Sequence, residues 1–425
     1  MFLIQSATIL DSQSPYHKQK KDILISNGKI EKIADVIAPQ NSYQIIQSDS
    51  LHVSQGFVDM RCHVPDLGYE YKETLSSARS AAMAGGFTEI CILPNMQPAL
   101  DTKDSLAYIL RENSSHLVQI RAIAALTLKN KGEDLSEMID LHHAGAIAFS
   151  DGLHPSQNAD IILKSLQYLQ PFNALLIQRP EDTLLTRYGQ MHEGITSTQL
   201  GLKGMPAIAE VLMIQRDLEI LRYTKGKIHF SCLSTAKSVE LIRQAKREGL
   251  NVTCDVSAHQ LFFTDEVLEG FDTNFKVNPP FRLESDKQAL WEGLSDGTID
   301  CIVSDHQPQD IESKDLEFDL AAFGVIALET AFSAVITQNK ILPLEQLIEK
   351  LTDNPREILG ISSTPIKEGN LVNITVWDNK KEWVYTEKNI LSKSKNSPFI
   401  GMTLQGKVLA VFNTGKAQTY GAEKG

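Results

Sequence analysis

Apolar and polar positions along the first fifty residues follow the two-residue period of strands. Phe2–Leu10, Asp22–Ser26 and Gly28–Ile33 are the predicted strands, the last two joined by Asn27-Gly28, a hairpin turn signal. From Gly56 the pattern changes to short apolar runs separated by amphipathic stretches. The runs are Phe57–Met60, Thr88–Leu93, Ile120–Leu126, Ala146–Phe149, Ala174–Ile177, Ile228–Ser231, Val252–Val256 and Cys301–Ser304. Helical spacing lies between them, for example at Thr74–Ala84, Thr102–Asn113, Ala207–Thr224, Ala236–Glu248 and Lys287–Leu294. Strand–helix alternation implies parallel strands, and eight units predict an α/β fold closed as a (β/α)8 TIM-like barrel. Short strands return after Ile366, at Leu371–Trp377 and Lys407–Phe412. The expected division is 1–52 and 363–425 as the two parts of a small β-sandwich domain, with the barrel at 53–362.

Composition adds limits. The chain has 425 residues, 42% hydrophobic and 22% charged, enough for a large core in an ordinary globular protein. A net charge of −12 without a basic cluster argues against nucleic acid or an anionic membrane as partner. No apolar run has membrane-spanning length, and the start Met-Phe-Leu-Ile-Gln-Ser lacks the basic residues of a signal peptide. Five scattered cysteines do not form a disulfide framework. A cytoplasmic location is expected.

In such a barrel, chemistry is carried at the C-terminal ends of the strands. Strand one ends in Asp59-Met60-Arg61-Cys62-His63, and strict alternation puts Asp59, Arg61 and His63 on one face. A His at position 61 would complete a His-x-His metal pair; the residue is Arg. The later strand ends supply Asn95, Asp151, Arg179 with Glu181-Asp182, Cys232, His259, Asn278 in Val277-Asn278-Pro279-Pro280, and Asp305-His306-Gln307-Pro308-Gln309.

These pieces resemble dihydroorotases of the amidohydrolase superfamily, of the type whose chain pairs with aspartate carbamoyltransferase. The likeness rests on Val277-Asn278-Pro279-Pro280, on Leu200-Gly201-Leu202-Lys203-Gly204-Met205-Pro206, on Phe323-Gly324 with Leu328-Glu329-Thr330, and on Ser392 to Gly401. The resemblance implies one or two zinc ions activating water for attack on a cyclic amide in pyrimidine biosynthesis. It also implies metal ligands at positions 61, 63, 151, 179, 232 and 305. His63, Asp151 and Asp305 stand where the family pattern has ligands, whereas Arg61, Arg179 and Cys232 replace histidines. Asp305 is the family's base and metal ligand. Asn95 and Asn278 would touch substrate, while Pro65 and Gln309 replace an Arg and a His of the substrate site.

A guanidinium offers donors only and stays protonated, so it cannot hold zinc. One zinc on His63, Asp151, Cys232 and Asp305 remains chemically acceptable. The favoured expectation is instead that Arg61 and Arg179 replace the metals, pairing with Asp151 and Asp305. His63 then becomes a hydrogen-bonded barrel residue, Cys232 a small buried hydrophobe, and Asn95 and Asn278 loop holders. His259 and His306 become structural, and His142-His143 a surface pair.

Two functions follow. One is a non-catalytic dihydroorotase homologue, a pseudoenzyme with a degenerate zinc site, serving as a structural or regulatory subunit of aspartate carbamoyltransferase. The other is an active cyclic amidohydrolase interconverting carbamoyl aspartate and dihydroorotate with one unusual zinc. A homodimer is expected in either case.

Overall fold

A computed structural model of the chain describes residues 1–111 and 113–420. Glu112, within the expected helix Thr102–Asn113, and residues 421–425, ending the expected C-terminal segment, lie outside the described residues.

The N-terminal part supplies β1 (Phe2–Leu10), β2 (Lys20–Ser26), β3 (Lys29–Ala34), β4 (Gln44–Ile46) and β5 (Leu51–Gln55). Asn27 and Gly28 turn the β2–β3 hairpin at φ 49° and 73°, the paired positive φ that Asn-Gly accommodates. The barrel begins with β6 (Phe57–Cys62), β7 (Phe87–Ile92), β8 (Gln119–Ala125), β9 (Ala148–Ser150) and β10 (Leu176–Gln178). A short parallel pair, β11 (Met191–His192) and β12 (Gly204–Met205), stands in the next connection. The barrel continues through β13 (Ile228–Phe230), β14 (Val252–Ser257) and β15 (Cys301–Val303).

These eight strands form one parallel sheet in chain order. Its seam is drawn together at the strand ends, where Cys62 bridges His306 and His63 N donates to His306 O at 2.8 Å. Buried Asp59 spans the same seam, accepting from Ser304 N at 3.0 Å and from the Ser304 hydroxyl. Val58, Met60, Cys91, Ile123, Ile177 and Val303 fill the barrel interior, and Phe57, Phe87, Ile90 and Ile120 pack outward under the helices. Burial on both faces explains why the strands read as continuous apolar runs.

The helices follow the expected spacing, at Leu75–Ala84, Lys103–Leu110, Ile208–Thr224, Ala236–Arg247 and Glu284–Ser295. Thr74 caps the first, accepting from Ser77 N at 3.1 Å. Ala159–Leu169 is a further amphipathic helix that buries Ile161, Ile162, Leu166 and Leu169.

The chain returns to β16 (Ile374–Val384), β17 (Thr403–Asn413) and β18 (Lys416–Thr419). β16 pairs antiparallel with β5, Val376 against Val53, so one eight-stranded sheet joins the chain's two ends beside the barrel. The hairpin of β16 and β17 runs past the expected Leu371–Trp377 because Glu382 to Val384 keep backbone partners at Thr403 to Gln405. No described helix is long and apolar enough to cross a membrane.

Candidate functional site at the barrel mouth

Arg61 and Asp305 meet across the seam. Arg61 Nε donates to Asp305 Oδ1 at 2.7 Å, with the side chains 1% and 2% exposed. Gln307 Nε2 donates to the same oxygen at 2.8 Å. Nη1 and Nη2 of Arg61 are buried and have no hydrogen-bond partner among the described residues.

The strand geometry that delivers Arg61 differs from simple alternation. Asp59 pairs with Ile90 and Cys62 with Ile92, so one extra residue of β6 stands between them. Met60 packs in the barrel interior while the next side chain, Arg61, also reaches inward to Asp305. Asp59 is turned to Ser304 instead, and Arg61 and Asp59 do not form the single face that alternation predicted. Burial pushes the Asp59 carboxyl up to about 7, against the hydrogen bonds from Ser304.

The expected pairing of Arg179 with Asp151 is not formed. Arg179 Nη1 lies 2.5 Å from Glu181 Oε2, an ion pair without hydrogen-bond alignment, and Nη2 donates to Leu153 O at 2.9 Å. Glu181 is two residues away in the loop that follows β10, so this carboxylate reaches Arg179 locally. Arg179 holds the Glu181 carboxyl below its ordinary value despite burial. Asp151 instead accepts from Thr127 N at 2.9 Å and Thr127 Oγ1 at 2.7 Å, and burial pushes it up to about 6. It therefore draws no guanidinium; two uncharged donors partner it.

The other predicted residues are occupied as follows. Burial lowers His63 to about 4, so its ring is neutral at pH 7; Nε2–H donates to Asn95 O at 2.9 Å and Nδ1 has no partner among the described residues. Asn95 holds the strand-four loop, donating to Asp151 O at 3.0 Å and accepting from Leu153 N at 2.8 Å. Asn278 Nδ2 donates to Glu181 Oε2 at 3.0 Å. Cys232 is fully buried at φ 61°, and burial raises its thiol well above the ordinary range. Pro65 is buried. Gln309 accepts from Lys72 Nζ at 2.7 Å and donates to Phe323 O at 2.8 Å. His259 is lowered to about 4 by burial; its Nε2 meets Ser257 Oγ at 3.1 Å and stands 4.0 Å from Asp305 Oδ2. His306 Nε2 lies 3.3 Å from Glu73, and its Nδ1 accepts from Ala327 N at 3.2 Å. His142 and His143 sit on a short helix, half-buried and exposed. Among the described residues, no group of three or more His, Cys, Asp or Glu is arranged to hold a metal ion.

Thr127 is the site residue that the sequence reading missed, whereas Glu181 and Gln307 were named only as parts of strand-end segments, without a role.

Comparison with known proteins supplies the family. A model described as dihydro-orotase-like matches residues 52–238. A dihydroorotase of Caldicellulosiruptor saccharolyticus is 40% identical over 421 residues, covering 98% of this chain and 98% of its own. One from Acetivibrio thermocellus is 41% identical over 391 residues, 91% of this chain and 92% of its own. The chain belongs to the dihydroorotase family. An L-hydantoinase from Arthrobacter aurescens shares the amidohydrolase fold at a TM-score of 0.86 and 22% identity, covering 99% of this chain and 96% of its own. In this dihydroorotase-family barrel the strand ends keep their expected places. Arg61 and Arg179 both enter buried ion pairs at those ends, with Asp305 and Glu181.

Proposed function

We propose that this protein is a dihydroorotase homologue of pyrimidine biosynthesis whose barrel mouth no longer performs metal-dependent ring hydrolysis. It acts as a structural or regulatory subunit, with aspartate carbamoyltransferase as the candidate partner and a homodimer as its own assembly.

The observation that carries this reading is the buried Arg61–Asp305 pair. Asp305, the acid that the resemblance makes base and ligand, is committed to a permanent cation. A divalent ion there would meet the Arg61 charge at close range, in a low-dielectric setting where repulsion is strong. The donor set does not fit zinc either. Asp151 is turned to Thr127, and position 179 carries a second cation, paired with Glu181. These features support a metal site converted into a charge-paired structural element.

The test joins metal content with turnover. Purified protein is assayed for bound zinc and for carbamoyl-aspartate cyclisation with and without added zinc. The expected result is substoichiometric metal and no turnover above background. Zinc-dependent turnover would overturn the reading and favour one zinc on His63, Asp151, Cys232 and Asp305. Light scattering of the chain alone and mixed with aspartate carbamoyltransferase from its own source tests assembly. Two non-interacting peaks would remove the partner assignment.

A further inference from the structure

A partly open pocket lies away from the barrel mouth, between the helix Ala331–Gln338 and the β16–β17 hairpin. It is a cavity of about 360 Å3, within the size range of small-molecule sites. Its walls include Phe332, Trp383 and Tyr420, its polar groups Glu329, Lys381 and Lys407.

The walls are fixed. Trp383 Nε1 donates to Gly406 O at 3.1 Å, and Lys407 Nζ sits 5.3 Å from the centroid of its ring. Lys381 and Lys407 are close enough for Lys381, after burial, to depress the Lys407 ammonium. Among the described residues neither lysine makes an ion pair with a carboxylate. Two neighbouring ammonium groups that have no ion-pair partner among the described residues, at the side of an aromatic wall, are suited to an anion.

Glu329 is the complementary feature. Its Oε1 accepts from Leu391 N at 2.6 Å and Ser392 N at 2.8 Å, and its Oε2 from the Tyr385 hydroxyl at 2.6 Å. A carboxylate has room for about four such bonds, so one acceptor position is left. Burial raises the Glu329 carboxyl, and no cation pairs with it among the described residues. The Tyr420 hydroxyl likewise has no protein partner among them.

We propose that this cavity binds a planar, N–H-bearing heterocycle with an anionic substituent. The ring lies against Trp383 and Phe332, its N–H donates to Glu329, and its anionic group meets Lys381 and Lys407. The site is connected to the barrel seam. Glu329 fixes the Leu391 and Ser392 amides, the Ser392 hydroxyl donates to Glu73, and Glu73 meets His306, the residue after Asp305. Occupancy is thereby linked to the segment that closes the barrel.

The anionic group has two chemical sources, a phosphate ester or a ring carboxylate, and calorimetric titration of the full chain separates them. The probes are uridine 5′-monophosphate, uracil-6-carboxylate, uridine and inorganic phosphate. One of the two anionic heterocycles is expected to bind once per chain with a Kd below about 1 mM, and the tighter one identifies the source. Uridine and phosphate alone bind at least about tenfold more weakly, because each offers half of the contacts. Lys381→Ala/Lys407→Ala removes the charge at one exposed and one half-buried position, retains the parent circular dichroism, and weakens binding at least about tenfold. The assignment is overturned if neither anionic heterocycle binds. It is equally overturned if phosphate alone binds as tightly, or if the double variant keeps full affinity.

Discussion

Replacing Arg61 by Met and Asp305 by Asn, singly and together, tests whether the two side chains form one charge unit. Their contact is 2.7 Å long and almost solvent-free. At an effective dielectric of about 20, charges this close attract by roughly 6 kcal/mol. Desolvating the two ions costs several kcal/mol each, so the intact pair contributes little net stability. Removing one partner is different. Among the described residues, Asp305→Asn leaves a guanidinium whose Nη1 and Nη2 already lack partners, and Arg61→Met leaves a carboxylate with only Gln307 Nε2 and distant His259. Each single change is expected to cost about 3–5 kcal/mol, whereas the double change removes both charges and costs only about 1–2 kcal/mol. Urea unfolding followed by circular dichroism at pH 7.5 measures the cycle, with midpoints and slopes compared across the four proteins. Single effects below about 1 kcal/mol that add within about 0.5 kcal/mol would refute the reasoning.

Further outcomes follow from the same geometry. Arg61→His alone is expected to bind no stoichiometric zinc, because the buried Arg179 charge remains; elemental analysis after zinc loading and desalting checks this. His63 has a pKa near 4 when folded against 6.5 as its ordinary value, so its contribution is present above 6.5 and lost as pH falls toward 4. The stability advantage of the parent over His63→Gln should therefore shrink by about 3 kcal/mol between pH 7 and 4, and a constant difference would contradict it. Asp59 and Asp151, raised to about 7 and 6, act oppositely: their stabilising contribution is present at low pH and lost as pH rises through those values. Asp151→Asn should then reduce the decline in stability between about pH 4 and 6, measured by urea unfolding across that window. Asn95→Ala removes two bonds to the strand-four loop and should cost about 2 kcal/mol, with faster amide exchange at Leu153; unchanged exchange would argue against a loop-holding role.

The difference between the legible and illegible parts of this chain is one of range. The eight barrel strands were readable because each buries both faces, leaving an apolar run whose ends can be seen locally. The sheet joining the chain ends was also accessible, since strand patterns at both termini need a common partner. The β6 register shift was not, because an inserted residue depends on how β7 is laid beside it. Charge pairing separates the same way. Residue type alone established that Arg61 and Arg179 cannot ligate zinc, yet it could not assign their carboxylates. Asp305 lies 244 residues from Arg61 and meets it only because the barrel closes. Arg179 takes Glu181, two residues on in the loop after β10, because that acid is within local reach before any distant one. Asp151, left to Thr127, then exists as a buried acid with a raised pKa and no countercharge among the described residues. A substitution at one ligand position therefore cannot be interpreted alone: the identity of its partner depends on which other acids already have a closer cation.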